Sequence, residues 1–218
     1  LLSSRKYTAI FNRIESVVLP DRIISAKKEK DQNDIALLDN PKAKIAKDHS
    51  SALKKWWQLF RRRELMILSV ERLPRYIACG RVTLRPIFEF VEPSIRPNDA
   101  IQVFPFDDDY CFGILQSGIH WSWFINRCST LTGRPRYTSN TVFDSFPWPQ
   151  EPTAGAVAKV AKAAVELRAL RVKLKTVHDL SLRELYRSLE LPGAHPLKDA
   201  QAKLDQAVRD AYGMPKSA

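Results

Sequence analysis

The sequence predicts an α+β protein, a mixed region over residues 1–150 followed by an all-α region over 151–218. Three observations carry this. Short runs rich in β-branched and aromatic residues, bounded by prolines, lie between positions 75 and 104. A mainly apolar run over 110–125 is long enough for a buried helix, and past Pro152 apolar residues recur at helical spacing. With 218 residues and 44% hydrophobic content, the chain is large enough to bury a core.

Each element has its own signal. Tyr7, Ile10, Phe11, Ile14, Val17 and Val18 follow helical spacing. Pro20 is expected to close that helix, because proline has no N–H and its ring collides with the carbonyl four residues back. The polar, Lys-rich stretch 21–34 and a second over 41–55 read as solvated loop or part of a binding face, ahead of Trp56-Trp57 and Arg61-Arg62-Arg63. Strands are expected at 75–79 with 81–84, at 87–91 and at 100–104. Asp107-Asp108-Asp109 then sits at the positive end of the helix expected over 110–125.

Residues 130–139 read as a polar loop shaped by Gly133 and Pro135, and Phe146-Pro147-Trp148-Pro149 as extended chain, since each proline restricts the residue before it. Val157, Val160, Ala161, Ala164, Leu167, Leu170, Leu174 and Val177 form a long helical stripe, with Lys159, Lys162, Arg168, Arg171 and Lys173 at other positions. Ser181 and Glu184 have capping-box spacing for a second helix. A third runs over about 197–212 before Gly213 and Pro215 stop it.

Lys and Arg outnumber Asp and Glu by 35 to 24, a formal charge of +11 that attracts a polyanion, most commonly nucleic acid. No run of 18 apolar residues is present and Leu1-Leu2-Ser3-Ser4-Arg5 does not read as a signal peptide, so no membrane partner is expected and a cytoplasmic location is. Cys79, Cys111 and Cys128 are odd in number and far apart, which fits reduced thiols better than disulfides or a zinc site. With no initiator Met, the chain is expected to be a piece of a longer protein.

One ordered set of residues carries more: Arg75-Tyr76-Ile77, Val82, Asp107-Asp108-Asp109-Tyr110, Phe112-Gly113-Ile114-Leu115-Gln116-Ser117, His120, Trp123, Arg136-Tyr137-Thr138 and Phe146-Pro147-Trp148-Pro149. This set resembles the MmeI-like DNA methyltransferases and restriction-modification enzymes, and residues 204–213 are similar to that family's C-terminal helices. The resemblance implies a bacterial target recognition domain (1–150) and a helical C-terminal domain (151–218) that act on double-stranded DNA in phage defence. It further implies an upstream methyltransferase domain of the same chain that transfers a methyl group from S-adenosylmethionine to adenine N6, with Mg needed only if the parent also cleaves DNA.

The 218 residues lack a Gly-rich cofactor loop, their glycines being scattered at 80, 113, 118, 133, 155, 193 and 213, and Asn40-Pro41-Lys42 does not match an amine-holding Asn-Pro-Pro-aromatic motif. No catalytic residue, cofactor-binding residue or metal ligand is therefore expected here. Asp107-Asp108-Asp109 reads as a helix cap in preference to a magnesium site, and His120 as a core histidine. The stretch Trp121-Ser122-Trp123-Phe124 reads as core packing in preference to a base-stacking platform, and Trp148 as a packing anchor.

The DNA-binding candidates are Arg61, Arg62 and Arg63 behind an aromatic cluster, Arg81, Thr83 and Arg85 around a strand-like segment, and Thr130, Thr132, Arg134 and Arg136 in the Gly-Pro loop. A guanidinium can bond both major-groove acceptors of guanine, and hydroxyls can read other edges. Arg134 is the first choice for base readout. Two rival readings stay open: a non-catalytic specificity subunit, and a helical dimerisation or scaffold module whose basic charge is incidental.

Overall fold

The computed structural model describes residues 6–58, 60 and 63–214. The chain forms two compact units, Leu1–Glu64 and Leu65–Ala218.

The first unit is built on α1 (Thr8–Asp39), a helix that carries Pro20 in its interior and does not end there. An interior proline removes one backbone hydrogen bond and costs about 3 kcal/mol, so something must compensate. Here the second half of the helix is clamped by later chain. The Glu29 carboxylate accepts from the His49 and Ser50 amides at 2.7 and 2.8 Å, which caps α2 (Asp48–Lys54). Asn33 exchanges two hydrogen bonds with the Ala46 backbone at 2.7 and 2.9 Å. The Lys-rich stretch 21–34 is thus helix and not loop, with Lys30 paired to Asp34 one turn on.

The second unit holds all but the first residue of α3 (Glu64–Glu71) and then a three-stranded antiparallel sheet of β1 (Tyr76–Gly80), β2 (Glu89–Val91) and β3 (Ile101–Phe104), ordered β2-β1-β3. Ile77 faces Phe90 on one side and Phe104 on the other. Because side chains alternate along a strand, Ile77 and Cys79 enter the main core, while Tyr76 and Ala78 pack with Val70 of α3 on the opposite face. Of positions 81–84, expected as strand together with 75–79, Arg81 still donates its amide to the Ala100 carbonyl at 2.8 Å, and the chain from Val82 onward leaves this sheet.

The expected single helix over 110–125 is two: α4 (Asp109–Gln116) and α5 (Gly118–Arg127). Asp108 caps the first through the Cys111 amide at 2.7 Å. Ser117 is extended between them and caps the second through the His120 amide, while the Asp205 carboxylate accepts from the Gly118 amide at 2.8 Å. A hydrogen-bonded side chain from far along the sequence therefore supports the break.

The chain continues through β4 (Ser129–Leu131), β5 (Arg134–Arg136) and a π-helical turn at Ser139–Phe143, then α6 (Ala154–His178), α7 (Leu182–Arg187) and α8 (Pro196–Ala211). Ser181 and Glu184 form the capping box in full. The buried positions of α6 are Val160, Ala164, Leu167, Arg171 and Leu174, so Arg171 lies within the stripe and not on the solvated face. It reaches back to the sheet, donating to the Phe88 carbonyl at 2.8 Å and pairing with Glu89. Arg168 similarly pairs with Asp109, which also binds Arg75 at 3.2 Å, and both guanidiniums lie over the Phe90 ring.

The sequence placed a division near residue 150, but packing runs across it. One continuous core extends from Ile77 to Ala211. Gly113 lies at a close approach: a Cβ there would stand 2.6 Å from Val160 and 3.2 Å from Leu204. The three cysteines are free thiols, with Cys79 buried. No helix among the described residues is long and apolar enough to cross a membrane.

Candidate nucleic-acid interface

The stretch read as a polar loop is an antiparallel hairpin. Its strands pair Ser129 with Arg136, Thr130 with Pro135 and Leu131 with Arg134. The two turn residues, Thr132 and Gly133, have φ of 49° and 77°, as a type I′ turn requires. Threonine rarely adopts that conformation, so the tip holds local strain.

The hairpin is anchored through backbone. The Tyr137 amide donates to the Arg81 carbonyl at 2.7 Å and the Thr83 amide to the Pro135 carbonyl at 3.1 Å, with a bridge between Val82 and Arg136. The segment that left the main sheet thus becomes a third edge for the hairpin. Pro135 has no N–H, and the bond to Thr83 uses its carbonyl alone. By strand alternation Arg134 and Arg136 share one face with Val82, and Thr130 lies on the other.

A rigid base lies beneath. Tyr137 and His120 are fully buried and share a 2.9 Å hydrogen bond. Tyr137 stacks on Phe124, with ring planes 12° apart. Burial pushes the His120 imidazole down to about 4 and raises the Tyr137 hydroxyl, so both are neutral near pH 7. His120 is a core histidine, as expected from sequence.

The structure brings seven of the ten candidates together on this substructure, with different tasks. Thr130, Thr132 and Arg134 are exposed and Arg136 is half-buried. Among the described residues, neither Arg134 nor Arg136 makes an ion pair. Arg85 lies with its guanidinium 4.4 Å from the Trp121 ring and 5.7 Å from that of Tyr186, and burial lowers its pKa. The Trp121 indole N–H donates to the Leu84 carbonyl at 3.3 Å. Arg81 reaches the Tyr137 and Asp99 carbonyls, and the Thr83 hydroxyl donates to the Arg85 carbonyl. Arg81 and Thr83 hold the hairpin's base and Arg85 packs on α5 and α7, while the hairpin's own side-chain donors are those of 130–136.

Arg63 belongs to the first unit and is half-buried with φ of 51°. Arg61 and Arg62 lie outside the described residues. Trp123 and Phe124 pack inward as expected, whereas Trp121 is 38% exposed. Sequence reading passed over the exposed face of α5, where Asn126 and Arg127 lead directly into β4. Only the register of the helix, with Phe124 buried and Ile125 exposed, marks that face.

In comparison with known proteins, residues 75–150 match a family model of target recognition domains. That family model is described as MmeI, target recognition domain. No curated protein matches the chain. The fold is similar to that in the solved structure of the Type IIL restriction-modification enzyme MmeI in complex with DNA, with a TM-score of 0.66 and 24% identity over 85% of this chain. The chain spans 23% of the length of that neighbour.

Proposed function

We propose that this chain reads a specific sequence in double-stranded DNA as the recognition part of a restriction-modification enzyme. The observation that carries the reading is the match of 75–150 to a target recognition domain, whose only two-residue hairpin among the described residues presents Arg134 and Arg136 on one face. In this reading the tip enters a groove, those guanidiniums meet base edges, and other basic residues meet phosphates.

The parent enzyme would flip an adenine out of the duplex and methylate its N6 in a methyltransferase domain upstream in the same chain, using S-adenosylmethionine. Cleavage, with Mg, would belong to a further part of the parent. Such an enzyme would act in the bacterial cytoplasm against phage DNA. A dimerisation scaffold fits less well, because the buried stripe of α6 is already spent on α4 and α8.

The test is selection of the full chain against a pool of random duplexes. One enriched motif is expected, and its affinity should fall with salt along a log–log slope of roughly −5, the value for about 6 neutralised phosphates. An unenriched pool together with a flat salt response would refute the reading.

A further inference from the structure

Beside the hairpin, α5 and the last turn of α8 enclose a shallow groove of mixed polarity, lined by Ile119 and Trp123 together with Gly118, Ser122, Asn126, Arg127 and Arg209. No acidic side chain lines it. The Asp205 carboxylate stands against Gly118 and one helical turn before Arg209, which it attracts, while accepting hydrogen bonds from the Gly118 amide at 2.8 Å and from Gln201 at 2.9 Å. Arg127 and Arg209 are both exposed, and among the described residues neither makes an ion pair.

The groove is also held in shape. The Arg127 guanidinium lies 4.8 Å from the Trp123 ring, whose indole N–H donates to the Val142 carbonyl at 3.1 Å. Asn126 donates to the Ser122 carbonyl at 2.8 Å. Two guanidiniums facing one groove, one of them laid on a fixed ring, make a pre-organised donor set for a tetrahedral oxyanion.

Its position points to which oxyanion. Arg127 is the last residue of α5 and is followed, after Cys128, by β4. Extended chain advances about 3.3 Å per residue, so the tip at Thr132 stands within about 16 Å of Arg127 along the hairpin, comparable to the roughly 12 Å width of a major groove. A hairpin seated in that groove brings α5 over the bounding strand.

We propose that this groove holds a phosphate of the DNA backbone flanking the groove the hairpin enters, with Arg127 and Arg209 as its two cationic donors. The proposal rests on the DNA-reading function above and adds the contact that would set the hairpin's depth and register.

The experiment measures binding of the full chain to its selected duplex and to a scrambled duplex across a salt series. Arg127→Gln and Arg209→Gln should each weaken both duplexes alike, by about five- to tenfold near 0.1 M salt, and lower the log–log slope by about one unit. Arg127→Lys should restore the slope, since a phosphate accepts a point charge. Arg209→Gln, on an exposed side chain, keeps the test valid if Arg127→Gln loosens Trp123. An unchanged slope in Arg209→Gln, or a loss confined to the selected duplex, overturns the proposal. A wild-type chain that binds neither duplex overturns the DNA-reading function itself, a result distinguishable before any variant is made.

Discussion

Arg134 sits beside a turn whose two residues both have positive φ, exposed and among the described residues without an ion pair. Its neighbours differ: Arg85 is stacked between rings and Arg81 is bonded to carbonyls. Arg134→Ala should relax the selected motif at one base pair and cost about 1–3 kcal/mol there. A contact to phosphate would instead weaken every duplex alike, and unchanged selection with unchanged affinity would remove Arg134 from the interface. Beneath it, His120 adds a pH dependence. Burial depresses its folded value from 6.5 to about 4, so between those values the unfolded chain binds more protons. Its contribution is complete above pH 6.5 and is lost as pH falls toward 4, by about 3 kcal/mol in all. Urea midpoints of wild type and His120→Gln across that range should converge as the pH drops; parallel curves would exclude the residue.

The elements legible in the sequence were those specified locally. The capping box at Ser181 and Glu184, the Asp108 cap and the three strands each follow from a few adjacent residues. Elements that depend on distant partners were not. Pro20 reads as a stop until Glu29 and Asn33 are seen holding the chain at 46–50. Arg171 reads as a solvated position until Glu89, 82 residues away, is placed beside it. The hairpin is hidden because its turn is Thr-Gly and not the Asn-Gly that signals a type I′ turn, although Thr130, Thr132, Arg134 and Arg136 stand close together in the sequence. Gly113 is another position set from a distance. Alanine is the better helix former by about 1 kcal/mol, yet a Cβ there meets Val160 at 2.6 Å. Gly113→Ala should therefore destabilise, by about 1–2 kcal/mol net of that gain. Adding Val160→Ala should recover part of the loss, and denaturant melts of the two variants decide it.

In the second unit, the segment 75–150 and the C-terminal helices share one compact body. Phe112, Ile114 and Leu115 of α4 are fully buried in a core completed by Val160, Leu167, Leu204 and Val208. The isolated segment 75–150 should lack near-ultraviolet circular dichroism and bind a hydrophobic dye, while 65–214 should show a cooperative melt. A cooperative melt from 75–150 alone would show that the helices are dispensable. The carboxylate of Asp205 on the Gly118 amide has a further consequence, one of timing. Translation proceeds at about 5–20 residues per second, so about 60 residues and roughly 3–12 seconds separate the end of the recognition segment from the end of α8. For that interval the nascent chain carries the hairpin on an unfinished base with α4's apolar face uncovered. Chaperone engagement is expected then, and a stall placed between 150 and 196 should leave the finished half exposed to protease.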